Sequence, residues 1–389
     1  MKTTRLPLIT KIAIAIVIGA VCGQYAPSFV VRLANTFNGI FNEFLHLMIP
    51  FIILGFVTPA IANIGDKAGK LLVATTLLAY LFTVGSGLFA YLFSTGLFPS
   101  IIASCAGDAS FKAGASFDPF FSIKMPPVLD VMSAIVISFV IGLGLAVLNT
   151  PSLKRGFDEF GTIIEKTITS VVIPLLPIYI FGIFLNMAAV GEVSHSLKSF
   201  IGIIVIIFAM TILMLFLQYC LAGAITCRNP FGLMAKMIPA YITALGTSSS
   251  AATIPVTLKA TKENGVTSDT ANFVIPLCAT IHISGSTLKI TACAIAIMMM
   301  NDMPVSFQGM LGFIVMLSFV MVAAPGVPGG AIMAAVSVLH SILGFDATQQ
   351  AMMITLYIAM DSFGTACNVT GDGAIALIVD KWAKSQNKS

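Results

Sequence analysis

The sequence has very few charged residues. Asp, Glu, Lys and Arg together make up 9% of its 389 residues, whereas hydrophobic residues make up 58%. Soluble domains contain roughly 25% charged residues. A chain with so little charge cannot cover a surface that faces water, so its solvent must be largely lipid. The composition therefore excludes a soluble enzyme, a secreted disulfide scaffold and a disordered protein.

Basic residues and cysteines are also too few or too scattered for several binding functions. The net charge is only +4 and the basic residues are dispersed, so no nucleic-acid-binding patch is predicted. The seven Cys have no metal-ligand spacing and lie mostly in apolar runs, which predicts small core residues. The apolar run after Lys2 and Arg5 resembles a signal peptide but has no A-x-A cleavage site, so we interpret it as a retained first span.

Long apolar runs predict several membrane-spanning helices, each of which needs about 20 apolar residues. Six such runs occupy the first part of the sequence: 7–23, 38–64, 71–97, 126–149, 165–190 and 198–224. After residue 224, Gly, Pro, Ser and Thr interrupt the apolar stretches at membrane depth: 229–260, 269–300, 309–344 and 347–380.

The positions of Lys and Arg predict the orientation. With the N-terminus in the cytoplasm, and with 229–260 and 309–344 as hairpins that enter and leave on the same side, most of the 20 Lys and Arg fall at the cytoplasmic face. Full spans at these two segments would weaken that bias. We therefore predict an all-α polytopic protein of the cytoplasmic membrane, with eight transmembrane helices, two re-entrant helical hairpins and both termini in the cytoplasm.

The two predicted hairpins have polar or Gly/Pro-rich tips. The first tip contains Ser248, Ser249 and Ser250, and the second contains the run 325–330, Pro-Gly-Val-Pro-Gly-Gly. Irregular backbone at membrane depth is stable only when it is buried in protein or lines a wet cavity. Two such hairpins, each followed by a long span, indicate inverted repeats with a binding site near the membrane midplane.

Four polar side chains form a stripe on the last apolar segment. Asp361, Thr365, Asn368 and Asp372 follow one another at steps of four, three and four, so they share one helix face. Ionisable residues inside a membrane are functional by default. A hydrogen-bonded seam between helices is the alternative, but two carboxylates without Lys or Arg on the stripe favour bound cations.

The segment 280–287 is a second polar interruption within a span. A helix unwound at this point would expose backbone carbonyls to a cation. His282 within it is either a hydrogen-bonded core histidine or part of the site. Lys289 follows in the same span, and a buried Lys needs a carboxylate, a set of carbonyls or a lost proton.

Residues 225–380 resemble the core of the dicarboxylate/amino acid:cation symporter family, which includes the glutamate transporters. The run Ser248-Ser249-Ser250 with 254–257 resembles the first hairpin of the family. Residues 326–333 resemble the second hairpin, one residue shorter at its tip. Asp361 followed by 368–372 (Asn-Val-Thr-Gly-Asp) resembles the last span closely.

The resemblance implies a fold and a mechanism. Residues 1–70 and 126–195 would form a trimeric scaffold, and residues 71–97 and 198–381 would form a transport domain that moves against it in an elevator-type mechanism. The expected partners are thus a small amino acid or carboxylate substrate, the lipid bilayer and two further copies of the chain, with no nucleic acid.

The resemblance also implies site residues. Asp361 would bind the substrate amino group, while Thr365, Asn368 and the hairpin tips would hold its carboxylate. Asp372 and Asn368, with carbonyls near His282, would bind sodium. The complete set of expected substrate-binding residues is Ser248, Ser249, Ser250, Ser286, Val327, Pro328, Gly329, Asp361, Gly364, Thr365 and Asn368.

Several departures from the family pattern concern charge. Gly364 and Thr247 occupy positions where relatives that transport acidic substrates carry Arg. Ser284 replaces the Asp of a further sodium site, and Val84 replaces a hydroxyl there. We therefore expect fewer sodium ions per substrate and consider Lys289, His282 and Ser284 as coupling residues. Buried Lys and His also change protonation readily, so proton coupling is an alternative.

These observations favour a symporter that couples cation entry to uptake of a small neutral amino acid. Without an Arg at 364, a second substrate carboxylate would remain unpaired in a low dielectric. Dicarboxylates or acidic amino acids (aspartate, glutamate, succinate) remain the alternative if Lys289 or His282 pairs that carboxylate. A channel-like anion conductance is a second alternative. An intramembrane hydrolase using Ser249, His282 and Asp361 is disfavoured because no G-x-S-x-G motif is present.

Overall fold

The computed structural model describes residues 8–65, 70–105, 117–129, 131–148, 150–189, 193–321 and 329–386. Within these ranges the regular structure is entirely helical, which confirms the all-α prediction. The helices are α1 Leu8–Gly23, α2 Ser28–Gly65, α3 Lys70–Cys105, α4 Val131–Val147, α5 Pro151–Thr167, α6 Ile173–Ala189, α7 Val193–Thr226, α8 Pro230–Thr247, α9 Ser250–Glu263, α10 Ser268–Ile281, α11 Ser284–Met300, α12 Phe307–Met321, α13 Gly330–Leu343, α14 Ala347–Ala359 and α15 Asp361–Gln386.

Five stretches of helix in the described part are long and apolar enough to cross a membrane. They are Ser28–Pro59, Leu71–Ser100, Pro151–Asn186, Ile201–Thr226 and Ser268–Met300. Four further helices are apolar but shorter: Thr10–Gly23, Val136–Val147, Phe307–Met321 and Gly330–Leu343. The predicted membrane protein is thus confirmed at the level of its helices.

Helix α5 begins well before the apolar run that the sequence predicts at 165–190. A π-helical segment, Ile168–Val172, joins it to α6, so that the helix is continuous from Pro151. The α5 part is amphipathic, with an i,i+4 ion pair between Arg155 and Glu159 (Nε to Oε1, 2.8 Å). A search for apolar runs misses it because only one face of an amphipathic helix is apolar.

The helices pack in two groups that also touch each other. In the first group, α2 contacts α4, α5 and α6, and α1 packs along α6. In the second group, α15 contacts α7 to α11, α3 packs along α11, and α14 contacts α11 and α13. Contacts between the groups run from α2 and α4 to α13 and from α1 and α6 to α14. The movement of one group against the other stays a prediction.

Helices α8 and α9 form an antiparallel pair. Asn264 donates its side-chain Nδ2 to the carbonyl of Leu233 at 3.0 Å, near the open end of the pair. At the closed end, Ser248 adopts a left-handed backbone (φ 48°), and the Ser249 hydroxyl caps α9 by accepting from the Ala252 N–H at 3.3 Å. The triple Ser therefore ends one helix and starts the next.

Helices α12 and α13 also pack against each other. The segment that joins them includes Val327 and Pro328, which lie outside the described residues, so their predicted place in the site stays a prediction. Gly329 lies immediately before α13, and its positive φ of 75° is a backbone conformation that favours glycine.

Two helix breaks bring polar groups into the interior. Helix α10 ends at Ile281 and α11 starts at Ser284, because His282 and Ile283 leave the helical conformation. The polar segment 280–287 predicts this interruption. A second break at Met360 separates α14 from α15, so that Asp361 is the first residue of α15.

Candidate functional site

A cavity of about 260 Å³ lies where the first hairpin pair, both helix breaks and α15 meet. This volume is just below the range of roughly 300–1,000 Å³ that is typical of pockets for drug-sized ligands. Its lining is rich in uncharged polar groups and consists of Glu165, Ser248, Ser250, Ala251, Ala279, Thr280, Ile283, Ser286, Ala331, Tyr357, Asp361, Thr365 and Asn368. A cavity of this size and character suits a small polar molecule.

Helix α15 places three members of the polar stripe on the cavity wall. Asp361, Thr365 and Asn368 line the cavity, and the fourth member, Asp372, is buried one turn further along the helix. The stripe thus divides into a cavity-facing part and a deeper part. The same division separates the residues predicted to bind substrate from the carboxylate predicted to bind sodium.

Asp361 is held between a hairpin end and a cation. Its Oδ2 atom accepts a hydrogen bond from the Gly329 N–H at 2.9 Å, immediately before α13. Its Oδ1 atom lies 3.9 Å from the Nζ atom of Lys289. The carboxylate therefore joins the second hairpin to α11 while it faces the cavity.

Lys289 is fully buried, and its ammonium points at the break between α14 and α15. The Nζ atom donates to the carbonyl of Met360 at 3.0 Å and lies 3.5 Å from the carbonyl of Asp361. It also lies 4.0 Å from the centre of the Tyr357 ring, a cation–π contact. Lys289 does not line the cavity in the described part of the chain.

Gly364 and Lys289 occupy adjoining space. A Cβ atom at Gly364 would overlap the Cε and Nζ atoms of Lys289. Lys289 therefore fills the space that a side chain at position 364 would need. An Arg at position 364 would meet the same obstacle as an Ala.

Asn368 and Ser286 form a hydrogen-bonded group at the cavity wall. The Asn368 Oδ1 atom accepts from the Gly285 N–H at 2.8 Å, and its Nδ2 atom lies 3.4 Å from the Ser286 hydroxyl. The Tyr357 hydroxyl donates to the same Ser286 oxygen at 3.0 Å. These contacts fix the Asn368 amide so that its NH₂ group, a donor, faces the side of Ser286.

The predicted sodium residues are joined by a side chain rather than by a carbonyl. The Nδ1 atom of His282 lies 2.8 Å from Oδ1 of Asp372, and both side chains are almost completely buried. The motif predicts backbone carbonyls near His282 in this place. The imidazole ring is therefore an additional partner of Asp372 that the motif does not indicate.

Ser284 stands where the family pattern has an Asp, and hydroxyl and amide groups surround it. Ser86 donates to the carbonyl of Ser284 at 2.8 Å, and Gln218 donates its Nε2 atom to the Ser284 hydroxyl at 3.2 Å. Lys289 does not reach this segment, since its ammonium lies at Met360 instead. The coupling role considered for Lys289, His282 and Ser284 stays a prediction, and in the structure the Lys289 side chain extends toward the α14–α15 break.

The first hairpin closes one side of the cavity. Ser248 and Ser250 line it, and the Ser248 hydroxyl lies 2.8 Å from the hydroxyl of Ser362 on α15. Ser249 does not line the cavity, since its hydroxyl caps α9. The predicted cluster of three serines is therefore divided between the cavity and the helix cap.

Comparison with known proteins identifies the family. The model of the sodium:dicarboxylate symporter family matches residues 8–382. The chain belongs to the sodium:dicarboxylate symporter family. The resemblance carried by the motifs of 225–380 is thereby confirmed, and it extends over nearly the whole sequence.

Individual relatives within the family are transporters and not enzymes. A serine/threonine transporter of Acinetobacter baylyi is 28% identical over 397 aligned positions, which cover 98% of this chain and 98% of the relative. A serine/threonine transporter of Acinetobacter baumannii (strain AYE) is 27% identical, with 97% of each chain covered. Excitatory amino acid transporter 1 of Rattus norvegicus is 29% identical over 243 positions, which cover 61% of this chain and 44% of the relative.

The geometry agrees with a transporter family. The three residues of the hydrolase alternative are engaged separately: His282 contacts Asp372, Asp361 accepts from Gly329, and Ser249 caps α9. The cavity does not bring them together as nucleophile, base and orienting acid.

The sequence did not indicate several residues that line the cavity, among them Glu165 and Tyr357. Glu165 is the first residue of the predicted apolar run 165–190, and it lies on the amphipathic helix α5, three residues before the π-helical segment. Tyr357 lies in the apolar run 347–380, four residues before the polar stripe begins at Asp361. A π-helical segment next to a polar residue is a frequent mark of functional sites, but it is visible only in the structure.

Proposed function

We propose that this chain is a secondary active symporter that couples the entry of sodium to uptake of a small neutral amino acid across the cytoplasmic membrane. The observation that carries the proposal is the cavity itself. It presents one buried carboxylate, Asp361, among hydroxyl and amide groups. That combination matches one ammonium and one carboxylate on a small zwitterion.

The arrangement supports a definite orientation of the substrate. Its ammonium lies against Asp361, where the negative charge is desolvated and therefore strong. Its carboxylate accepts from the Asn368 NH₂ group and from backbone N–H groups at the hairpin tips, next to the Thr365 hydroxyl, which itself donates to the carbonyl of Asp361 at 3.1 Å. Ser248, Ser250 and Ser286 surround a short polar side chain, and Ser249 and Gly329 belong to the two hairpin tips.

Charge in the cavity wall favours a neutral substrate over an acidic one. Gly364 carries no side chain, and the Lys289 ammonium is engaged by the carbonyl of Met360 and by Asp361. The side-chain carboxylate of an acidic substrate would therefore lack a basic partner, which is costly in a buried site. The two Acinetobacter relatives are serine/threonine transporters, which agrees with this substrate class.

The proposed architecture is that of an elevator. Eight transmembrane helices and two re-entrant hairpins, α8–α9 and α12–α13, form inverted repeats. Residues 1–70 and 126–195 are the scaffold of a homotrimer. Residues 71–97 and 198–381 are the moving transport domain, and both termini are cytoplasmic. The two groups of packed helices and the sequence match to the family support this division.

The proposed coupling ion binds near Asp372. Asp372 contacts His282 there, and Asn368 lies one turn earlier on α15. The buried Oε1 atom of Gln218, which like the His282 ring adjoins Gly371, has no hydrogen-bond partner among the described residues. A buried oxygen without a partner costs roughly 1–3 kcal/mol, so a bound cation there would be stabilised by it. The His282–Asp372 contact makes a proton the alternative coupling ion.

Asp372→Asn is expected to lower transport at least roughly tenfold and to weaken its dependence on sodium, because the substitution removes the buried charge but keeps the shape. The measurement is initial uptake at a series of sodium concentrations. Asp380→Asn, on the same helix but paired with Lys384 far from the cavity, is the control and should keep the sodium dependence. Unchanged sodium affinity in Asp372→Asn would remove this residue from the ion site.

The experiment that tests the function is uptake of labelled serine into proteoliposomes. We expect saturable accumulation above equilibrium when a sodium gradient points inward, and only equilibration without the gradient. Imposing a proton gradient instead separates the two coupling ions. Equilibration without accumulation under either gradient, combined with a substrate-independent anion current, would favour the channel and contradict the symporter.

A further inference from the structure

Lys289 lies in a position that is built like a binding site for a small cation. Its Nζ atom is surrounded by the carbonyls of Met360 and Asp361, by Oδ1 of Asp361 and by the face of Tyr357. Backbone carbonyls, a carboxylate and an aromatic face are the groups that proteins use for monovalent cations and ammonium groups. The Lys289 ammonium therefore occupies a site that would otherwise suit a dissolved cation.

Neighbouring residues make room for this ammonium. Gly364 carries no Cβ atom at the point where Lys289 passes. Gly285 allows close packing of α11 on α15, since a Cβ atom there would lie 2.6 Å from the Gly364 carbonyl. Helices α11 and α15 thus approach closely enough for Lys289 to reach the end of α14.

Met360 joins α14 to α15, and its carbonyl is the nearest acceptor of the Lys289 ammonium at 3.0 Å. The same carbonyl also accepts from the N–H groups of Phe363 and Gly364, at 3.1 and 3.3 Å, in the first turn of α15. The ammonium therefore adds a charged donor to a carbonyl at the helix break, and its charge balances that of the Asp361 carboxylate.

We propose that Lys289 is a built-in cation that takes the place of a dissolved monovalent cation at the α14–α15 break and serves as the resident counter-charge of Asp361. The cavity carboxylate then has a positive partner when no substrate is bound. When substrate binds, its ammonium and that of Lys289 both contact the Asp361 carboxylate. This last statement rests on the proposed function, whereas the cation site itself does not.

The proposal predicts that a small amine can replace the missing side-chain end. Lys289→Ala removes the ammonium and leaves a space lined by the Met360 and Asp361 carbonyls. Methylammonium fits that space, whereas tetramethylammonium has no N–H donor and is larger. At constant ionic strength, methylammonium is expected to raise the midpoint of thermal unfolding of Lys289→Ala by at least about 5 °C relative to tetramethylammonium.

Two controls belong to this measurement. The wild-type protein and Lys381→Ala, which removes an exposed Lys at the far end of α15, should show no difference between the two amines. Sodium and potassium, tested in the same series, show whether an alkali ion also occupies the space. Equal unfolding midpoints of Lys289→Ala in all of these salts would overturn the cation site.

A double substitution keeps the proposal testable if Lys289→Ala does not fold. Lys289→Met retains the length of the side chain but leaves Asp361 without its cation, and the loss of one partner of a buried pair is strongly destabilising. Adding Asp361→Asn removes the unpaired charge. We expect the double variant to unfold at a higher temperature than Lys289→Met alone. If the decrease in unfolding temperature of the double variant equals the sum of the decreases of the two single variants, the residues do not interact.

These outcomes are independent of transport. Thermal unfolding in detergent or nanodiscs reports the cation site even if the chain proves to carry another substrate. Conversely, failure of serine accumulation with an intact amine effect would contradict the proposed substrate and leave the Lys289 site in place.

Discussion

Asp361→Asn is expected to lower the affinity for a neutral amino acid at least roughly a hundredfold, because the substrate ammonium loses a buried charged partner. The variant also replaces one carboxylate oxygen, the kind of atom that accepts from the Gly329 N–H, by an NH₂ group. It leaves Lys289 without its counter-charge. Equilibrium binding of serine to purified protein is the measurement. Asp380→Asn, a carboxylate on the same helix that pairs with Lys384, is the matched control and should bind serine normally.

A substrate analogue separates a role in binding from a role in stability. Wild-type protein should discriminate strongly against the hydroxy acid that replaces the amino group of serine by a hydroxyl. Asp361→Asn should lose most of that discrimination, because the residue that recognises the amine has been neutralised. A variant that binds weakly but still distinguishes the two compounds by the same factor would place the ammonium elsewhere, with Glu165 at the cavity the next candidate.

Gly364→Ala is expected to impair transport at least roughly tenfold although it adds one methyl group. The new Cβ atom would overlap the Cε and Nζ atoms of Lys289, which is buried and held by the Met360 carbonyl. Displacing the ammonium separates it from Asp361. The measurement is initial serine uptake at matched protein density in proteoliposomes.

The reason for the loss can be isolated by combining substitutions. Gly144→Ala is the control for a Gly-to-Ala change within a helix, since a Cβ atom there meets no atom within 4 Å. In a Lys289→Ala background, Gly364→Ala should have little further effect because the obstacle is gone. An equal loss from Gly364→Ala with and without Lys289 would mean that the methyl group disturbs something other than the ammonium.

The sequence predicts the chemistry of α15 because that helix is regular. The steps of four, three and four place Asp361, Thr365 and Asn368 on one face, and these three residues do line the cavity. The predicted break near His282 is also present, because a polar segment inside a span cannot remain an ordinary lipid-exposed helix. Local periodicity and turn chemistry thus suffice for these features.

The direction of Lys289 could not be predicted for a physical reason. Helix phase is lost across the unwound residues His282 and Ile283, and a four-carbon side chain reaches several neighbours. The contact of Lys289 with Met360 joins residues 71 positions apart, and that of His282 with Asp372 joins residues 90 positions apart. Such pairings depend on how helices pack, which the order of residues along one helix does not determine.

The most direct test of the central claim is competition between serine and aspartate for accumulation in proteoliposomes under an inward sodium gradient, with a proton gradient as a second condition. The account predicts that unlabelled serine abolishes uptake of labelled serine, whereas aspartate and succinate at the same concentration leave it nearly unchanged. Stronger inhibition by aspartate or succinate than by serine would contradict the assignment of a neutral substrate to the cavity at Asp361.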